Sequence, residues 1–335
     1  MDLDRHDWLA KRYEEADDPH RRIIDPHHHL WDRGGSTYLA DQLLADTTST
    51  HKVTHTVFVE CLSKYDRTAP EPMQPVGETA FVAREAAAAE AQGTTQIAGI
   101  VSFADLSLGE AVEEVLVAHE EAAGGLFRGV RHATAWNAHD DIPAAHTGAT
   151  EGLMSEPAFR AGVAALGLRG HSFDAWLYHD QLGELAALAR AIPDASIILD
   201  HLGAPLAIGP YRGHRAAVEA AWKTAMSDVA ACPNVTLKLG GIGMDHYFDL
   251  GWVDRDIPPG SDEVADRWRD PVRWCIDTFS PERCMFESNY PVDRQSLTYP
   301  VLWNAFQKIA TPYSEEEQDL LFWGTAQRVY RLEDG

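Results

Sequence analysis

Eight short apolar, β-branched runs, each followed by polar or helix-forming sequence, constrain this chain more than any other feature. They fall at residues 23–29, 54–61, 96–102, 126–132, 168–176, 196–202, 235–240 and 283–288. Runs of this length, bounded by turn residues, read as buried strands. The intervening stretches read as helices at 76–92, 180–191, 214–231, 262–279 and 314–330. Gly93 stands where the first should stop, Pro193 follows the second, and Ser314 with Glu317 spells a capping box for the last. Alternation of this kind predicts an all-parallel sheet covered by helices. The expected fold class is therefore α/β, a (β/α)8 TIM barrel, with an open doubly wound sheet as the alternative. The sequence has no Gly-rich phosphate loop to favour the open sheet. Residues 1–22 form a charged leader, and 23–332 a single domain.

Two connections are unusually long, 133–155 after the fourth strand and 241–261 after the seventh. The first carries Trp136, His139 and His146, and the second His246, Tyr247, Phe248 and Trp252. Loops of this length after barrel strands read as lids over a ligand, or as packing for a neighbouring subunit.

A chain of 335 residues, 45% hydrophobic, can bury a large core. Its formal charge of −24 argues against nucleic acid and anionic membranes, both of which require a basic field. The expected partner is a small molecule, and the composition suits a monomer or a homodimer. Cys61, Cys232, Cys275 and Cys284 are far apart in sequence, as suits reduced thiols in a cytoplasmic protein. The N-terminal residues do not read as a secretory signal, and no apolar run has the length of a membrane span.

The chemistry concentrates at the ends of the strands. Strand one ends in His27-His28-His29, and alternation turns His27 and His29 to the same side, where two imidazoles can share a divalent metal. Strand two ends at Glu60 and strand four at Arg131-His132. Strand five carries Asp174 and Trp176, with His179 beyond. Strand six ends at Asp200-His201, strand seven runs into Lys238, and strand eight into Glu287-Ser288-Asn289. Each of these has an ordinary structural explanation, but their joint presence at one end of a barrel points to a catalytic centre.

Asp25-Pro26-His27-His28-His29-Leu30-Trp31-Asp32, Leu199-Asp200-His201-Leu202-Gly203 and Met285-Phe286-Glu287-Ser288-Asn289-Tyr290-Pro291-Val292-Asp293 resemble the amidohydrolase-related (amidohydrolase 2) family. The likeness runs from about residue 22 to 331. It implies a distorted TIM barrel that hydrolyses or decarboxylates a small acid. In metal-using relatives it assigns ligation to His27, His29 and His201, with a carboxylate at the end of strand eight. The metal would be zinc or manganese; in the metal-free alternative His27, His29 and Arg131 polarise the carbonyl directly.

At that strand-eight position this chain has Asn289, which carries no charge and cannot act as a general base. Asp293, Glu60 and Asp174 are then the candidates for activating water. Arg131, His132, Lys238, Trp176 and His179 are the candidates for binding substrate. The leading expectation is a hydrolase that opens a lactone, or similar cyclic ester, of a carboxylated or polyhydroxylated substrate. The alternatives are a metal-dependent, non-oxidative decarboxylase of an aromatic or unsaturated acid and a non-catalytic ligand-binding barrel.

Overall fold

The computed structural model describes residues 5–333. Eight parallel strands run in chain order: β1 (Arg22–His28), β2 (Lys52–Val59), β3 (Gln96–Ser102), β4 (Phe127–Arg131), β5 (Ser172–Ala175), β6 (Ser196–Leu199), β7 (Val235–Lys238) and β8 (Cys284–Met285). Each pairs with the next along the chain, as right-handed strand–helix–strand units require. Between β8 and β1 the barrel is closed by an irregular segment. There Asn289 N donates to His27 O (2.9 Å) and His29 N to Tyr290 O (2.7 Å). This is a TIM barrel, distorted at its seam.

The helices that fill the connections include Ala40–Thr47, Val76–Glu90, Glu113–Ala123, Pro157–Leu168, Leu182–Ala191, Arg215–Ala230, Ser261–Phe279 and Tyr299–Ala310. Sequence periodicity missed four of these, at 40–47, 113–123, 157–168 and 299–310. It also began strand five too early. Residues up to Leu168 complete a helix, Leu168 is solvent-exposed, and Gly170 at φ +76° turns the chain into β5. The segment expected as one helix at 314–330 is helical but widens into a π turn at Leu320–Gly324, and its capping box is present.

A large apolar cluster fills the space between sheet and helices. A second, inside the barrel floor, brings Ile24, Val57, Val59, Val101, Ile198 and Met285 against Ala326, Val329, Tyr330 and Leu332. The C-terminal helix thus plugs the amino-terminal end, leaving chemistry to the opposite face. Residues 1–4 of the expected leader lie outside the described residues. The rest of the leader crosses the 253–261 stretch, donating from Arg5 to Val253 O (2.7 Å), Trp8 to Arg255 O (2.6 Å) and Arg12 to Pro258 O (3.1 Å). No helix among the described residues is long and apolar enough to cross a membrane.

Candidate active site

Strand alternation decides which side chains meet on the barrel axis. His27 and His29 face inward, their rings 4.9 Å apart, while His28 packs outward against Phe58. Arg131 likewise faces in, so its neighbour His132 faces out. It lies between Phe103 and Phe159 and accepts a hydrogen bond from Leu106 N. His179 is also away from the centre, against Tyr211. These two candidates therefore do not reach the axis.

The remaining groups form one connected network. Glu287 bridges two imidazoles, with Oε2 2.8 Å from His27 Nδ1 and Oε1 2.6 Å from His201 Nδ1. Lys238 Nζ lies 2.9 Å from Asp174, 3.1 Å from Asp200 and 3.1 Å from His27 Nδ1. Arg131 donates through Nε to Glu60 (2.9 Å), and its Nη1 is 3.4 Å from His27 Nε2 and 3.8 Å from Asp200. His146, from the long loop after β4, holds the other Glu60 oxygen at 2.9 Å. From the barrel floor, Tyr330 donates to Asp174. Trp176 roofs the cluster, edge-on to His201 at 4.9 Å.

Backbone chemistry makes this packing possible. His201 and Asn289 both adopt left-handed conformations at their strand ends, φ +54° and +56°. Such sparsely populated geometry persists only where surrounding structure enforces it. After β7, Gly241 at φ +65° leaves room for His201, since a Cβ there would lie 2.6 Å from its Nδ1.

The electrostatics follow from burial. Glu60, Asp174, Asp200 and Glu287 are inaccessible to solvent, and the fixed cations beside them are Arg131 and Lys238. Burial alone would raise Glu287, but His201 and His27 outweigh it and hold it down at about 2. Burial, then Arg131 and His146, act in the same opposed way on Glu60, also about 2. Burial keeps His27 and His29 well below the ordinary histidine value, reinforced by Lys238 and Arg131 respectively, so both are neutral at pH 7. Burial raises Asp174 despite Lys238. Asp200 is held below its ordinary value because Lys238, His201 and Arg131 overcome its burial.

A divalent cation fits this centre. The donor atoms of His27, His201 and Glu287 lie within 4.8 Å of one another. Four buried carboxylates outnumber the two fixed cations beside them by two, a surplus that a divalent ion would offset. Glu287 thus joins the convergent set from the end of strand eight, where a carboxylate was expected, and His29 lies beside it, its ring 4.9 Å from that of His27. His29 Nδ1 meets Val59 O at 2.8 Å, which leaves Nε2 facing Asn289 Oδ1 at 3.3 Å. Asp293 accepts from Asn289 Nδ2 (2.9 Å) and Gly243 N (2.8 Å), and burial pushes it well above the ordinary carboxylate value. Of the residues expected to activate water, Glu60 and Asp174 are committed to Arg131, His146, Lys238 and Tyr330. The other carboxylate beside His27 is Asp200, 3.7 Å from its Nδ1, which sequence reasoning placed at a strand end but gave no role. Its adjacency to His201 was the available signal.

A family model described as Amidohydrolase matches residues 24–332. The uncharacterized protein y4mH of Sinorhizobium fredii is 32% identical over 334 residues, covering 92% of this chain and 98% of its own. An L-fucono-1,5-lactonase of Burkholderia multivorans is 28% identical over 256 residues, 76% of this chain and 77% of that protein. A crystal structure of an amidohydrolase from Burkholderia multivorans with bound zinc superposes with a TM-score of 0.70 at 24% identity. It covers 93% of this chain and 99% of that one.

Proposed function

Because this chain belongs to the amidohydrolase family, we propose that it hydrolyses a neutral, polyhydroxylated lactone. The observation that carries this reading is the commitment of both cations at the centre. Arg131 is engaged by Glu60 and lies beside Asp200, and Lys238 is engaged by Asp174 and Asp200. A carboxylated substrate would add charge to a buried centre already rich in carboxylates, without displacing water from a free cation. A neutral ring carries no such penalty. The two curated relatives named L-fucono-1,5-lactonase support a sugar-derived lactone.

His27, His201 and Glu287 would hold zinc or manganese, whose chemistry is to polarise the lactone carbonyl and acidify water. Asp200, kept ionised by Lys238, His201 and Arg131, takes a proton from the attacking water. It returns that proton to the ring oxygen as the acyl–oxygen bond breaks, so water is divided between the new acid and the new alcohol. Asp293 acts on Asn289, whose orientation it sets, rather than on water. Four free cysteines suit the reducing cytoplasm.

The test is a pH-stat assay of the zinc- or manganese-loaded protein with neutral hexono-1,5-lactones, carboxylated lactones and aromatic acids. Acid release from the neutral lactones above their spontaneous rate is the expected result. Preferential turnover of carboxylated rings, or carbon dioxide release from aromatic acids, would overturn the reading.

A further inference from the structure

Away from the reacting centre, a groove runs between the helices Arg215–Ala230 and Ser261–Phe279, and each helix contributes an arginine to it, Arg215 from the first and Arg267 from the second. None of its lining residues belongs to the centre. Pro205, Ala207 and Pro271 give it partly exposed carbon surface, and the nearly buried rings of Trp222, Phe248 and Trp268 complete the wall.

The two arginines stand out in this chain. Acidic residues outnumber Lys and Arg by 52 to 28, so most cations find a carboxylate close by. Among the described residues, neither Arg215 nor Arg267 has an ion pair or a hydrogen bond, and Arg267 only rests 5.2 Å from the centroid of the Trp268 ring. Acids on the same two helices are engaged elsewhere. Glu219, which also lines the groove, pairs with Lys223 at 2.8 Å, while Asp262 pairs with Lys308, Glu263 with Arg255 and Asp266 with Arg269. Arg267 is half-buried, and burial followed by the repulsion of Arg215 lowers it to about 10, against the opposing pull of Glu219. Two like charges drawn together against carbon, one of them partly desolvated, form an arrangement that an anion would relieve.

We infer that this groove is a binding site for a small organic carboxylate with a flat apolar body, held by Arg267 and Arg215. The guanidinium fork matches a carboxylate in shape and charge. The proline and aromatic wall takes the carbon body, which a bare inorganic anion would leave uncovered. A polyhydroxylated acid is a poor match, since its hydroxyls would lie against carbon without partners. The site therefore does not depend on the lactonase reading, and its test is separate from that of turnover.

The experiment is calorimetric titration of the metal-loaded protein with benzoate, acetate, inorganic phosphate and benzyl alcohol, repeated on Arg267→Met and Arg215→Gln. Benzoate should bind saturably, and acetate, phosphate and benzyl alcohol at least about tenfold more weakly, because each lacks either the body or the carboxylate. Arg267→Met should weaken benzoate by at least about tenfold, and the more exposed Arg215→Gln by about threefold. The melting temperature of Arg267→Met should not fall, since the deleted cation has no acidic partner in the protein, and benzoate should raise that of the wild type alone. Benzoate affinity unchanged in both variants would place the ligand elsewhere and overturn the site. Equal affinity for acetate or phosphate would remove the apolar body from the proposal and overturn it. A dimer seen by sedimentation and lost in Arg267→Met would give the groove to a second copy of this chain, with the same consequence.

Discussion

Glu287 and Asp200 are adjacent carboxylates that the barrel assigns to different work. Glu287 is clamped by two imidazoles, whereas Asp200 faces two fixed cations, Lys238 at 3.1 Å and Arg131 at 3.8 Å. The first arrangement holds ligands together and the second keeps a buried carboxylate ionised beside them. Glu287→Gln should therefore abolish metal retention, checked by elemental analysis of protein purified without chelators. Asp200→Asn should keep its metal and lose about 10²- to 10⁴-fold in kcat, the range typical of removing a general base. Retained metal in the first variant, or near-normal kcat in the second, would reverse these roles. His27 and His201 could be picked out from strand ends alone. Glu287 stood at a strand end too, but its part as a ligand was not assigned, because its inward aim depends on the irregular segment after β8 rather than on a regular strand.

At the scale of elements, the leader holds a long loop in place. Its side chains donate to backbone carbonyls at Val253, Arg255, Asp256 and Pro258, and Glu14 accepts from Ser261 N. Arg5 also reaches Gln295 O, in the turn that follows Asn289 and Asp293. Each such bond contributes about 0.5–1.5 kcal/mol. Deleting residues 1–13 should therefore make local opening of 253–261 easier by about 1–3 kcal/mol while the barrel stays folded. Hydrogen exchange read by mass spectrometry would show up to ~100-fold faster exchange in that loop, and an unchanged rate would refute the strap. Charge marked the leader as distinct in the sequence. Its docking site did not show there, because the acceptors are main-chain carbonyls, which have no sequence signature.

For the whole molecule, acid stability follows from histidines buried as neutral groups. Burial lowers His28 to about 3 and His51, His119 and His132 to about 4. A depressed folded value means stability is lost as pH falls from the unfolded value near 6.5 toward the folded one. By pH 5 each histidine costs about 2 kcal/mol. Asp25 and Glu78 act in the opposite direction. Burial raises them to about 6 and about 8, so the folded state is relieved as they protonate. The relief totals about 4 kcal/mol between pH 7 and pH 5, less than the histidines cost, and His27 and His29 add to that cost, so stability falls over this range. Urea unfolding at the two pH values should show that difference, and equal midpoints would contradict it.

Much of this architecture is local in origin. Period-two alternation chose His27 and His29 over His28, though it was not applied to Arg131 and His132, and strand–helix repetition dictated a parallel barrel. These rules act over a few residues, so the sequence alone is enough to apply them. The partnerships that make the centre are of another kind. His146 meets Glu60 across 86 positions, Tyr330 meets Asp174 across 156, and Lys238 meets His27 across 211. Only closure of the barrel, with its floor plugged by the C-terminal helix, brings such groups together. The charge balance that suits a divalent cation, and the commitment of Arg131 and Lys238 that favours a neutral substrate, arise from desolvation and contact in three dimensions.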